Sequence, residues 1–227
     1  MTTLPLNSIV PSNSRVAGRS AILSGVIGIL AFAALVAYLA TQVSKFADTG
    51  VMPQAGKILI SINYVGVAIQ ALCMIPVVFA LDRLCGWRSG LRSRRLSRWA
   101  RIVCVFALVV VIVVRLLIFV SPAVSDILFM APMGFVGVWL LVVNGLLKGV
   151  LPGWLRIVGW IAGAGLTVVG LNFFFNGGMA VFFHGPWAYA EDVPFHKGLA
   201  IGGLPGFILF PVWAIFVGTR MSRLNLR

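Results

Sequence analysis

Residues 102–120 read IVCVFALVVVIVVRLLIFV, an apolar run that is interrupted only by Arg115. At a rise of about 1.5 Å per residue, a helix of this length covers most of the hydrocarbon layer of a bilayer, which is about 30 Å thick. The residues just before it, 82–101, read DRLCGWRSGLRSRRLSRWAR and are rich in arginine. The run therefore predicts a helix that crosses a membrane and adjoins a strongly basic segment.

The rest of the 227-residue chain has the same apolar character. Hydrophobic residues make up 60% of it, charged residues 10%, and the mean hydropathy is +1.05, which excludes an ordinary soluble domain. The apolar runs predict six spans, at roughly 21–43, 58–81, 99–121, 127–147, 155–176 and 196–218. Since no linker separates them, we predict one all-α domain, a polytopic membrane bundle of six transmembrane helices.

The basic residues indicate how this bundle is oriented. The chain has 18 Lys and Arg against five Asp and Glu, and 14 of the basic residues fall on one side of the predicted spans. These are Arg15, Arg19, Arg83, Arg88, Arg92, Arg94, Arg95, Arg98, Arg101, Lys148, Arg156, Arg220, Arg223 and Arg227. Because basic loops stay in the cytoplasm, we predict that both termini are cytoplasmic and that the protein lies in the inner (plasma) membrane.

The arginine-rich segment 83–101 is expected to lie against anionic lipid headgroups, where each basic residue contributes about 1 kcal/mol. The alternative is that it only sets the topology and binds nothing specific. No recognition fold accompanies the charge, so nucleic acid is not an expected partner.

Glycines at four-residue spacing predict close contacts between helices, because a missing side chain lets a neighbouring backbone approach. The spaced glycines are Gly198, Gly202 and Gly206 in the last span, Gly159 and Gly163 in the fifth, and Gly145 and Gly149 at the end of the fourth. Such contacts serve either packing within the chain or a homo-oligomer. Pro205 and Pro211 are expected to bend or locally open the last helix.

Arg115 is the one charged residue well inside a predicted span. A charge in hydrocarbon is costly unless it is paired or reaches water. One interpretation is that its long side chain reaches the outer headgroups or Asp126. The other is that it faces the bundle interior, where it binds an anionic group of a ligand or lipid, or pairs with Glu191 or Asp192.

Amides in the spans offer partners for such a site. Asn63 and Gln70 share a face of the second predicted helix, and Asn172 and Asn176 share a face of the fifth. Their hydrogen bonds either join helices or line a polar cavity. If Asn63, Asn172 and Asn176 converge with Arg115, they form a ligand-binding pocket in the outer half of the membrane.

The stretch HGPWAYAEDVPFH, residues 184–196, holds both histidines of the chain. His184, Glu191, Asp192 and His196 are candidate ligands for a metal ion, or a candidate pair for proton transfer. Their spacing fits no compact HxxxH or HExxH site, and a polar external loop is the alternative. We predict no catalytic residue and no cofactor.

Two stretches carry a resemblance. Residues 137–170, GVWLLVVNGLLKGVLPGWLRIVGWIAGAGLTVVG, and 210–221, FPVWAIFVGTRM, resemble the C-terminal part of a broad family of uncharacterised bacterial multi-pass membrane proteins. The resemblance implies about six helices and a bacterial origin, and it provides no functional residues to carry over.

Three functions are compatible with these patterns. The first is a non-enzymatic inner-membrane protein that acts through lipids, another membrane protein or a second copy of itself. The second is a carrier or binder of a small or lipidic anion in an outer pocket around Arg115. The third is a membrane enzyme or metal site in the histidine-bearing loop.

The topology can be tested with reporter fusions. Fusions after Arg95 and after Arg227 should report the cytoplasm, and a fusion after Trp187 should report the opposite side, because the basic connections remain inside. A reporter at Arg95 that is active only outside would contradict the assigned orientation.

Overall fold

The computed structural model describes residues 14–42, 52–88, 91–117, 122–175 and 193–224, and all six of the elements in these ranges are α-helices. They are α1 (Ser14–Thr41), α2 (Gln54–Arg88), α3 (Leu91–Leu116), α4 (Pro122–Leu146), α5 (Gly153–Phe175) and α6 (Val193–Leu224). Each is long and apolar enough to cross a membrane. The predicted fold class is confirmed: the chain is an all-α, multi-pass membrane bundle.

The third helix ends earlier than predicted. The apolar run suggests a span to residue 121, but α3 ends at Leu116 and α4 begins at Pro122. A proline suits the first turn of a helix, which fits the start of α4 at Pro122. Arg115 therefore lies in the last turn of α3 and not deep within it.

The arginine-rich segment is helical, whereas the sequence suggested a connection. α2 continues to Arg88 and α3 starts at Leu91. Arg and Leu are good helix formers, and nothing in this segment except Gly86 and Gly90 opposes a helix. Asp82 of α2 joins the two helices by accepting hydrogen bonds from Ser97 Oγ at 2.5 Å and Arg101 Nη1 at 2.6 Å.

The six helices form a closed ring. Each packs against its neighbours in the chain, and α6 packs against α1. The large buried core draws on all six helices and has Trp213, Met74 and Leu81 among its fully buried side chains. One end of the ring, which we call the basic end, contains the start of α1, the end of α6 and the α2–α3 and α4–α5 connections.

Glycines allow the helix backbones to touch in this ring. A Cβ atom at Gly202 of α6 would lie 2.7 Å from the carbonyl oxygen of Gly165 of α5, and one at Gly206 would lie 2.9 Å from the backbone nitrogen of Leu166. Gly163 of α5 faces Gly137 of α4 in the same way. For these glycines the predicted close approach is confirmed, and it occurs within one chain.

The pair at the end of the fourth helix differs from these glycines. A Cβ atom at Gly145 would meet no atom of the described chain within 4 Å, so this glycine marks no contact within the ring. Gly149 has φ of 83°, a left-handed conformation that only glycine adopts readily. Its role is to form the tight α4–α5 turn, in which Val150 N donates to Leu147 O at 3.0 Å.

The Gly202 contact can be tested by enlargement. Gly202→Leu should lower the melting midpoint in detergent, because overpacking costs roughly 1–3 kcal/mol and the obstacle is a backbone that cannot easily move. Ala200→Leu on the exposed side of the same helix is the matched control and should change little. Equal midpoints for the two variants would contradict the close α5–α6 approach.

Candidate functional site

Arg115 is buried at the end of the ring opposite the basic end, with only 6% of its surface exposed. Its Nη1 atom donates to Asp126 Oδ1 at 2.5 Å and, more weakly, to Ser125 Oγ at 3.4 Å. A cation in the last turn of a helix also interacts favourably with the helix dipole. The pairing with Asp126 suggested by the sequence is thus confirmed, and the Arg115 side chain is buried within the ring.

Two aromatic rings enclose the guanidinium group. Its central carbon lies 3.9 Å from the ring centroid of Phe129 on α4 and 4.5 Å from that of Tyr64 on α2. Each such cation–π contact is worth roughly 0.5–2 kcal/mol, more where water is excluded. Arg115 therefore joins α2, α3 and α4 through one planar group.

One polar atom of this group is not satisfied. Arg115 Nε is buried and has no hydrogen-bond partner among the described residues. An unpaired buried donor costs about 1–3 kcal/mol, so an acceptor placed beside it would be bound favourably.

Arg115 also lines a cavity of about 60 Å³ inside the ring. Its other polar lining residues are Asn63 and Gln70 of α2. Most of the wall is apolar, and includes Phe32, Leu35, Val67, Leu108, Val111, Phe129, Met133, Phe207 and Phe210. Since one water occupies about 30 Å³ in the liquid and a cavity of about 150 Å³ takes benzene, this space suits a small group or a short part of an acyl chain.

The structure brings together only part of the pocket predicted from the sequence. Asn63 lines the cavity and also joins α2 to α1, since its Nδ2 donates to Ala31 O at 2.8 Å. Asn172 is buried on α5, which contributes no described residue to the cavity wall. Asn176 lies outside the described residues.

Most of the histidine-bearing stretch, residues 184–196, lies outside the part of the chain that the structure describes. His184, Glu191 and Asp192 lie outside the described residues, and His196 lies in the first turn of α6, where side chains are not described. In the described part of the chain no three His, Cys, Asp or Glu side chains form a cluster that could hold a metal ion. The metal and proton-transfer hypotheses for this loop stay predictions.

A polar cluster that the sequence did not reveal lies toward the basic end. Asn144 of α4 is fully buried; its Nδ2 donates to Leu140 O at 2.8 Å, and its Oδ1 accepts from Trp213 Nε1 at 3.1 Å. Arg156 Nε donates to the backbone oxygen of Asn144 at 2.9 Å. The sequence feature that could have indicated this cluster is an asparagine within an apolar run, four residues before the basic residue Lys148. Because its side-chain amide bonds to Trp213 of α6 and its backbone oxygen to Arg156 of α5, Asn144 joins α4 to both helices.

Comparisons with protein-family models, with curated proteins and with solved structures find no match to this chain. The resemblance to a bacterial membrane-protein family therefore stays a prediction.

The enclosure of Arg115 gives a direct test. Arg115→Lys keeps the charge but loses the planar group that stacks on Tyr64 and Phe129, so it should destabilise the protein by about 1–2 kcal/mol. We attribute little of this loss to the ion pair, because the Asp126 side chain is 43% exposed and water screens it.

The measurement is the melting midpoint in detergent, with Arg98→Lys as the control at an exposed position. In the Phe129→Leu background, the effect of Arg115→Lys should shrink, since one of the two stacking contacts has already been removed. An unaltered midpoint for Arg115→Lys would mean that the stacking contributes nothing.

Proposed function

We propose that this protein is a non-enzymatic lipid-binding protein of a bacterial inner membrane, which holds the oxygen-bearing end of a membrane amphiphile against Arg115. The observation that carries the proposal is a largely apolar cavity lined by Arg115, whose buried Nε donor has no hydrogen-bond partner among the described residues.

The chemistry of the wall supports an amphiphile over a small free anion. The positive charge of Arg115 is already balanced by Asp126, so the site holds little net charge for an inorganic anion. The Nε–H group of Arg115 has no partner among the described residues, and the cavity is also lined by Asn63 and Gln70 of α2. One acceptor oxygen, such as an ester carbonyl or carboxylate oxygen, satisfies the donor, while apolar atoms fill the remaining volume.

The walls also suggest a route for such a molecule. Phe32 and Leu35 of α1 and Phe207 of α6 line the cavity but are only partly buried. Close contacts between α1 and α6 occur toward the basic end, where Gly18 meets Gly218 and Gly25 meets the backbone of Pro211. We therefore propose that an acyl chain enters the cavity between α1 and α6 on the side of Arg115.

Pro211 adds a second polar feature, at a residue of the cavity wall. A proline has no N–H to donate to the carbonyl four residues earlier, which here belongs to Phe207, a residue of the cavity wall. The carbonyl oxygen of Phe207 therefore lacks its usual hydrogen-bond donor within the helix. Backbone carbonyls freed in this way bind ligands at the broken helices of other membrane proteins.

Filling the cavity tests the proposal. Val67→Phe places an aromatic ring in the cavity. Val65→Phe on the same helix enlarges a lipid-facing side chain that is 48% exposed. Native mass spectrometry should detect a discrete co-purified amphiphile on the wild type and on Val65→Phe, and at least tenfold less of it on Val67→Phe.

Arg115→Leu distinguishes polar recognition from simple filling of space. It removes the donor and leaves the cavity walls apolar, so it too should release the amphiphile. Retention of the same adduct by both Val67→Phe and Arg115→Leu would place the lipid elsewhere and end the proposal.

A further inference from the structure

Three exposed arginines lie beside the contact between α1 and α6 at the basic end of the ring. These helices run antiparallel, since Gly18 of α1 meets Gly218 and Ser222 of α6, and Gly25 meets Pro211 and Ile215. Arg15 and Arg19 flank Gly18 in the sequence, and Arg223 follows Ser222. We call this line of contact the α1–α6 seam.

Helix geometry places the three side chains on one side of the seam. With about 100° of rotation per residue, Arg15 and Arg19 lie about 60° and 100° around α1 from Gly18, and Arg223 lies about 140° around α6 from Gly218. Two antiparallel helices seen from one end wind in opposite senses, so these rotations carry all three arginines to the same side.

The cavity residues identify which side this is. By the same reckoning Gly28 of α1 and Phe210 of α6, which line the cavity, lie about 80° from the seam in the other direction. The arginines are thus on the outer face of the ring, toward the surrounding membrane, in agreement with their exposure.

Protein groups do not neutralise this charge in the described part of the chain. Its two carboxylates are Asp82 and Asp126, which pair with Arg101 and Arg115. No carboxylate of the described residues forms an ion pair with Arg15, Arg19 or Arg223.

We propose that Arg15, Arg19 and Arg223 bind the phosphate group of one anionic phospholipid on the outer face of the α1–α6 seam. Arginine donates paired N–H groups in a geometry that matches phosphate oxygens, and three arginines from two helices surround one headgroup.

The surface next to the arginines fits the rest of such a lipid. Further along the same face, α1 presents Ile22 and Val26 and α6 presents Ile208 and Ile215, all apolar. Val26 is 44% exposed and Ile208 is 41% exposed, so the groove between them is open to an acyl chain. The site is independent of the proposed function, because it lies on the opposite side of the seam from the cavity.

The test uses the full chain, delipidated in detergent and titrated with phosphatidylglycerol or phosphatidylcholine under native mass spectrometry. One variant carries Arg15→Gln, Arg19→Gln and Arg223→Gln. The matched control carries Lys57→Gln, Lys148→Gln and Arg220→Gln, which removes the same charge from exposed positions outside this face of the seam.

Wild type and the control should bind one phosphatidylglycerol with similar affinity, and the seam variant should bind it about 100-fold more weakly, since each basic residue near an anionic lipid contributes a factor of about five. Phosphatidylcholine, which has no net charge, should bind weakly to all three proteins.

Three results would overturn the proposal: undiminished binding by the seam variant, an equal loss in the control, or equal affinity for the two lipids. If the triple variant does not fold, the single variants Arg19→Gln and Arg223→Gln test the proposal instead. Each should bind phosphatidylglycerol about fivefold more weakly than the wild type.

Discussion

In a bilayer, helices gain no hydrophobic free energy by packing their apolar faces together, because the lipid around them is already apolar. Association then depends on how closely the backbones can approach and how well their polar groups are satisfied. This constraint explains where the small residues of the chain lie. Gly18 and Gly218 join α1 to α6, Gly134 and Gly170 join α4 to α5, and Gly202 lies against the backbone of α5. The ring closes because these positions carry no side chain.

The sequence was sufficient to predict the number and type of the helices, but not their ends. Six apolar runs separated by basic or polar residues specify six membrane helices on length and hydropathy alone. The ends depend on local backbone chemistry that hydropathy does not measure. α3 ends at Leu116, before the third apolar run does, and the basic residues 83–88 continue α2 beyond its apolar part.

The candidate site was predictable in part for the same reason. Arg115 and Asn63 were identified because a polar group in an apolar run is costly and so has a role. Which groups they meet depends on the rotation of each helix about its axis, and weak periodicity does not define that rotation in a lipid-facing helix. The stacking on Tyr64 and Phe129 was therefore missed, and Asn172 was placed in a pocket to which its helix does not contribute.

The ring also imposes an order of assembly. Five of its six helix–helix contacts join neighbours in the chain, and these can form as successive hairpins while the protein is being synthesised. The sixth joins α1 to α6 and must wait until α6 has been made. Until then the small-residue face of α1 around Gly18 and Gly25 lacks its α6 partner, so α1 completes its contacts only after four further helices have been synthesised. The period in which another chain can occupy that face lasts while α2 to α5 are made and ends when α6 is inserted.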